Sequence, residues 1–531
     1  MSYLSIYGFT FDRYSQTFYA QGAGDFPYSD PWTGEDLSDW RFTSTIDGYN
    51  VSSGYGYGYM SFNAFNDRVS SGTHTISVTA YNEWTGLGLS WTAELVNDTL
   101  ARAGRYYVGT TGTDIYLGGG YDDDIYLGSG NDFAEGGDGS DLLNGGSGVD
   151  ELRGGSGNDF LHGGSGADGM WGGSGNDSFF VDNAQDKVFE DAGNGNDVVY
   201  TSVSYALASG ESVEVLRTVS DSGTASINLT GNELVNTLIG NAGANILNGG
   251  RGADRMSGLG GDDTYIVDNV GDVVTELSGK GVDLVKSTVS YTLSANVEIL
   301  SLEGRSAING TGNDLANTLL GNSAANVLNG RGGADRMSGY GGNDTYIVDN
   351  VGDVVREDAN SGIDTVQSTV SRTLEANVER LTLLGTANIN AVGNTLSNVL
   401  IGNSGANVLT GGAGNDILTG GLGNDAFVFN AALGSSNVET ITDFSNRSGN
   451  DDVIRLENGI FTALASTGVL AATAFKNLDL GAADSNDRIL YDQDQGDLYY
   501  DRDGSGTTYS PIKIAEISNH AALTYLDFSV I

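Results

Sequence analysis

From Gly109 the chain sets single apolar positions among glycine-rich polar stretches at a fixed period of nine. Divided into nines it reads GTTGTDIYL, GGGYDDDIY, LGSGNDFAE, GGDGSDLLN, GGSGVDELR, GGSGNDFLH, GGSGADGMW and GGSGNDSFF. The eighth place is apolar throughout, at Tyr116, Ile125, Ala134, Leu143, Leu152, Leu161, Met170 and Phe179. So many glycines suit neither a helix nor a continuous buried strand. A Gly-rich first half followed by a short x-apolar-x half reads as a turn and then a stub of strand, because glycine readily takes the φ > 0 angles that turns need. If two such units make one coil of a parallel solenoid, residues eighteen apart lie one strand spacing, about 4.8 Å, from each other.

The sixth place is aspartate in all eight units: Asp114, Asp123, Asp132, Asp141, Asp150, Asp159, Asp168 and Asp177, with Asp186 holding the phase once more. In a coil of eighteen these pair as 114/132, 123/141, 132/150, 141/159, 150/168, 159/177 and 168/186, up to seven sites. Calcium takes six to eight oxygens at about 2.3–2.6 Å, and Gly-rich turns add backbone carbonyls to a pair of carboxylates. Magnesium wants a tighter octahedron, and zinc or copper wants His or Cys ligands that these units lack. The residues GGSGNDFLH and their neighbours resemble the RTX, or hemolysin-type, calcium-binding repeats of pattern GGxGxDxUx. That resemblance implies an all-β fold, a calcium-dependent parallel β-roll with ions held between successive turns.

A longer period lies above the short one. GGDDTYIVDNVGDVV and GGNDTYIVDNVGDVV are almost identical and stand 81 residues apart, with divergent copies at Gly173 and Gly421. The anchoring aspartates are Asp177, Asp263, Asp344 and Asp425. Between anchors the nine-residue phase continues with Asn at the sixth place: Asn236, Asn245, Asn317, Asn326, Asn398 and Asn407. Asparagines stack in hydrogen-bonded ladders without an ion, which predicts metal-free coils there. Charge returns at Asp254, Asp335 and Asp416, while Asp272 and Asp353 keep the phase, so 254/272 and 335/353 are further candidate pairs. Asp197, Asp283 and Asp364, twenty residues past an anchor, are out of phase and weaker candidates.

The two ends differ from the repeats. The first 107 residues hold 23 of the chain's 49 Phe, Tyr and Trp, which marks a separate aromatic-rich domain over 1–105. Alternation in HTISVTAY and LSWTAELV predicts two half-buried antiparallel strands, in a β-sandwich-like domain. Tyr55, Tyr57 and Tyr59 fall on one face of a strand, either as cross-strand packing or as an exposed sugar- or surface-binding face. Residues 106–188 are then the β-roll block, 189–430 the long tandem modules and 431–531 a β-rich cap, which a solenoid needs over its last coil. DQDQGD and DRDGSG in the cap lack the spacing and closing Glu of an EF-hand and read as acidic turns. This succession resembles the C-terminal region of serralysin-like exoproteins. It implies export by type I secretion machinery, and the N-terminus is a poor secretory signal peptide.

A formal charge of −45, from 69 acidic and 24 basic side chains, excludes nucleic acid and anionic membrane surfaces as partners and points towards cations. No run approaches the 18 apolar residues of a transmembrane helix. With no cysteine there is neither a disulfide nor a thiol nucleophile. The three histidines, His74, His162 and His520, are scattered, and HExxH, GxSxG and GxxxxGK[ST] are absent. The expectation is therefore a non-enzymatic, extracellular or cell-surface calcium-binding protein of adhesin, matrix or surface-layer type, with cell-surface polysaccharide or self-assembly as further partners. A carbohydrate-active enzyme with an unrecognised N-terminal catalytic domain and a pore-former are the alternatives.

Overall fold

A computed structural model describes residues 105–531, apart from 465, 505 and 507, and the backbone of eight strands before residue 105. The chain forms two compact units, Met1–Met256 and Ser257–Ile531.

In the first unit the nine-residue units alternate between two parallel sheets. One sheet holds Asp114–Leu117, Phe133–Asp138, Glu151–Ser156, Gly169–Ser174 and Lys187–Phe189; the other begins with Tyr106–Val108, Asp124–Tyr126, Leu142–Ser147, Phe160–Ser165 and Ser178–Val181. Register is eighteen, as expected of a two-strand coil: Leu152 stands opposite Ala134 and Met170, and Leu161 opposite Leu143 and Phe179. All eight apolar eighth-place side chains are fully buried in a thin stack, joined at its N-terminal end by Ile115, Leu127 and Phe133. The turns between strands demand glycine twice over. Gly157 sits at φ 126°, and a Cβ there would lie 1.7 Å from the carbonyl oxygen of Gly139 in the preceding coil. Turn geometry and coil stacking thus impose the same residue.

Past Val181 the coils lose their uniform length. Phe179 pairs with Val199, Val199 with Leu216 and Leu216 with Leu238, giving coils of 20, 17 and 22 residues. The second unit repeats one series: Tyr265 to Val285, Leu300, Leu319 and Met337, and again Tyr346 to Val366, Leu381, Leu400 and Leu418. Each series runs 20, 15, 19 and 18 residues. An 81-residue module is nine half-coils. Because nine is odd, Thr264–Val267 and its copy Thr345–Val348 fall in different sheets.

At the N-terminal end Gly72–Asn82 and Gly88–Asn97 pair antiparallel, as the alternation in HTISVTAY and LSWTAELV predicts, and Trp40–Ile46 and Tyr49–Tyr55 extend that sheet. Gly88–Asn97 also pairs in parallel with Asp114–Leu117, Glu94 opposite Asp114, so the N-terminal strands continue a solenoid sheet. A second antiparallel sheet joins Tyr3–Ile6, Phe9–Asp12, Thr17–Ala20 and Met60–Ser61. The side chains of Tyr55, Tyr57, Tyr59 and His74, and the sandwich packing expected of this region, lie outside the described residues. At the other end Glu439–Ile441 and Val453–Leu456 continue the parallel stacks. The stacking then ends in an antiparallel meander of Ile489–Asp492, Asp497–Tyr500 and Ile512–Ile517, in which DQDQGD is a hairpin turn.

Candidate metal centres

The sixth-place aspartates point inward from the start of each strand stub, and the coil period sets one above the next. The backbone N–H of Asp132 donates to Oδ1 of Asp150 at 2.8 Å, that of Asp141 to Asp159, that of Asp150 to Asp168 and that of Asp159 to Asp177, all at 2.8 Å. Asp114 and Asp123 make the same bond to Asp132 and Asp141. One oxygen of each carboxylate is thus bound to the coil before it. The other, Oδ2, is buried without a hydrogen-bond partner in Asp132, Asp141, Asp150, Asp159, Asp168 and Asp177. An unpartnered buried carboxylate oxygen is costly. Burial pushes Asp132, Asp141, Asp150 and Asp159 up to about 7 and Asp168 to about 6, with the next aspartates in the row adding repulsion.

From Asp141 to Asp177 the orphan oxygen lies against a glycine, at Gly136, Gly145, Gly154, Gly163 and Gly172. A Cβ on Gly136 would sit 2.1 Å from Asp141 Oδ2 and 2.8 Å from the carbonyl oxygen of Gly154; on Gly154 the distances are 2.2 Å to Asp159 Oδ2 and 2.7 Å to the Gly172 carbonyl. A carboxylate oxygen and a main-chain carbonyl from the next coil thus converge on the space a side chain would take, and in the aspartate coils that oxygen is unpartnered. The donor set is all oxygen, so the residues present fit calcium.

The remaining candidates divide by what their second oxygen does. Oδ2 is equally orphaned in Asp335, Asp344, Asp416 and Asp425, whose Oδ1 atoms accept from the N–H groups of Asn317, Asn326, Asn398 and Asn407. Asp254 takes the N–H of Asn236 at the end of the first unit. By contrast Asp186, Asp272 and Asp353 lie in DNxxD turns. Oδ2 of Asp186 accepts from Asn183, that of Asp272 from Asp268 and Asn269, and that of Asp353 from Asp349 and Asn350. Asp114 is likewise engaged by Thr110. His162 lies on the outer face, hydrogen-bonded to Asn144 and edge-on to Phe180.

The asparagine coils satisfy themselves. Asn317 donates from Nδ2 to the Val297 carbonyl at 2.9 Å and accepts at Oδ1 from Asn313; Asn326 does the same with Ile308 and Asn322, and Asn398 with Val378 and Asn394. Asn236, Asn245 and Asn407 repeat the pattern. Here the oxygen that faces the glycine is already taken by an N–H four residues back, Asn313 to Asn317 for example, and the NH₂ holds the preceding coil, so neither end of the amide is left bare. Its bonds run to backbone rather than from one sixth-place asparagine to the next, and the first Asn of each GNxxxN was not legible as part of the set.

Sequence reasoning also missed three glutamates. In each 20-residue coil a Glu swings in beside the anchor, forming buried clusters Asp177/Glu190/Asp197, Asp263/Glu276/Asp283 and Asp344/Glu357/Asp364. One oxygen from each member lies within 4.8 Å of the other two. The out-of-phase Asp197, Asp283 and Asp364 are in phase for their longer coil, accepting at Oδ1 from the anchor N–H groups at 2.8 Å. All three clusters share the spacing Asp-x12-Glu-x6-Asp, a signal present in the sequence.

Comparison with known families bears on these rows. The RTX calcium-binding nonapeptide repeat family, in four-copy units, matches residues 108–143, 144–179, 230–265, 311–346 and 392–427. No curated protein matches the chain. Among the described residues no helix is long and apolar enough to cross a membrane.

Proposed function

Since residues 108–427 carry RTX calcium-binding nonapeptide repeats that bind calcium at several sites, we propose that this chain is a secreted structural protein whose folding is switched by extracellular calcium. The observation that supports it is the row of buried, unpartnered Oδ2 atoms from Asp132 to Asp177, those of Asp141, Asp150, Asp159, Asp168 and Asp177 lying against a glycine. Asp123, Asp132, Asp141, Asp150, Asp159, Asp168 and Asp177 hold ions in the first block, and Asp254, Asp263, Asp335, Asp344, Asp416 and Asp425 in the modules. For Asp123, Asp141, Asp150 and Asp159 a glycine carbonyl of the adjacent coil joins the carboxylate oxygen. Bound calcium supplies the positive charge that lets these carboxylates stay ionised inside the fold.

Where calcium is scarce, ionised carboxylates about one strand spacing apart repel, and the chain is kept extended for passage through a type I exporter. Outside, calcium at about 10⁻⁴–10⁻³ M drives binding and folding together. The folded solenoid is a rigid stalk or lattice element of adhesin, matrix or surface-layer type. Its carboxylates are structural rather than catalytic.

Circular dichroism of the full chain with calcium and with excess chelator tests this reading. A β spectrum that appears only with calcium is expected; an unchanged spectrum in chelator at neutral pH would refute it. Size measurement on adding calcium tests the lattice role, and turnover of a soluble glycan would replace it with an enzymatic one.

A further inference from the structure

The three Asp-x12-Glu-x6-Asp clusters are alike in spacing but not in state. In the second unit a tyrosine two residues after the anchor reaches the glutamate: Tyr265 donates to Glu276 and Tyr346 to Glu357, and each hydroxyl also accepts from a glycine N–H, Gly258 or Gly339, at 2.7 Å. At the matching position of the first module stands Phe179. A phenyl ring has no hydroxyl to offer, and both Oε1 and Oε2 of Glu190 are without hydrogen-bond partners although the residue is only 5% exposed. The backbone N–H groups of Gly172 and Gly173 favour its ionised form.

The oxygens nonetheless converge. A Cβ on Gly172 would sit 1.8 Å from Glu190 Oε1 and 2.4 Å from Asp177 Oδ2, which is itself unpartnered. Neighbouring carboxylates hold the backbone of the cluster: Glu211 accepts from the Glu190 N–H at 2.6 Å and Glu214 from that of Asp197 at 2.8 Å. Among the described residues no Lys, Arg or His forms an ion pair with Asp177, Glu190 or Asp197. Three buried carboxylates with no basic partner, two of them aimed at one glycine-lined point, need a cation rich in oxygen coordination.

We propose that Asp177, Glu190 and Asp197 form a divalent-cation site of calcium type, distinct in composition from the aspartate-and-carbonyl sites between the uniform coils. The hydroxyl of Tyr265 or Tyr346 occupies one glutamate oxygen in the two later copies, so the first cluster has the greater ligand charge free for the ion. It is also the joint between the 18-residue coils and the long modules, and a bound ion there ties the first long coil to the last uniform one.

This inference rests on the proposed calcium-dependent fold, and the test separates the two. Calcium binding to the demetallated full chain is followed by isothermal titration calorimetry for the wild type, Glu190→Gln and Phe179→Tyr. Glu190→Gln is expected to lose one bound calcium per chain and leave the rest of the isotherm in place. Phe179→Tyr gives Glu190 the same hydroxyl that holds Glu276 and Glu357, and is expected to weaken one site about tenfold or more, as a competing hydrogen bond to a charged group should. An unchanged count and affinity in Glu190→Gln overturns the site while the wider reading stands; a wild-type chain that takes up no calcium overturns both. Should Glu190→Gln fail to fold, Phe179→Tyr decides, and unaltered affinity at every site in that variant overturns the proposal.

Discussion

The backbone N–H of Asp150 donates to Oδ1 of Asp168, one coil further along, at 2.8 Å, while Oδ2 of Asp168 is buried with no partner. The same aspartate therefore serves as a structural rung and carries the bare oxygen that the proposed ion site uses. Replacing it with asparagine keeps one acceptor oxygen and removes the carboxylate charge, and other coils of the chain already fold with asparagine at this place. Asp150→Asn with Asp168→Asn is expected to lower the bound calcium measured by equilibrium dialysis and to weaken calcium-induced folding mainly in the first block. Wild-type stoichiometry would refute the assignment.

The reverse exchange carries the opposite sign. Asn317 donates from its amide to the Val297 carbonyl and is buried. Asn317→Asp sets a carboxylate oxygen against that carbonyl, leaving two acceptors face to face without a proton or ion between them. The cost in chelator is expected to be on the order of 1–3 kcal/mol. It should shrink as calcium is raised, read as a shift in the calcium midpoint of the circular dichroism signal.

Acid should substitute in part for calcium. Burial holds Asp132, Asp141, Asp150 and Asp159 near 7 in the folded chain, against about 3.9 for an unfolded aspartate. With raised carboxylate values the folded state keeps protons that the unfolded state has released. Stability without calcium is therefore greatest at low pH and is lost as pH rises through about 7. In chelator, β content is expected to increase on lowering the pH from about 8 to about 5, and calcium should flatten the profile. A calcium-free fold that gains stability towards pH 8 would contradict the burial of these groups.

Some residues should resist rescue by any ion. Gly157 is at φ 126° with the Gly139 carbonyl where a Cβ would go. Gly157→Ala is expected to cost on the order of 2 kcal/mol or more, even at saturating calcium, from backbone strain and displaced coil stacking. Leu161→Ala removes a fully buried rung opposite Leu143 and Phe179 and is expected to cost about 2–5 kcal/mol. Thermal melts in excess calcium check both, and a Gly157→Ala variant as stable as wild type would remove the close-approach argument.

Much of the architecture was legible because a solenoid turns a sequence period into a spatial neighbour. Asp150 and Asp168 could be paired from spacing, as could Leu152 with Met170, since a coil of constant length makes eighteen residues one strand spacing. The glutamates were not. Glu190 lies thirteen residues beyond Asp177, outside the nine-residue phase, and only an irregular coil of twenty residues, pairing Phe179 with Val199, carries it back beside its anchor. Coil length there depends on where strands pair, which the local pattern of apolar residues does not state.

By itself the sequence determined the period, the buried eighth place, the oxygen-only chemistry and the split between aspartate and asparagine coils, because each follows from residue type repeated at a fixed interval. The tertiary structure alone decided which carboxylate oxygens are satisfied. Oδ2 of Asp186 is taken by a turn, Oδ2 of Asp168 is left bare, and Glu190 is exposed to its neighbours' charge where Glu276 is held by Tyr265. Satisfaction of a buried oxygen is set by atoms from other coils and by the water they exclude, and no reading of one residue and its sequence neighbours contains those.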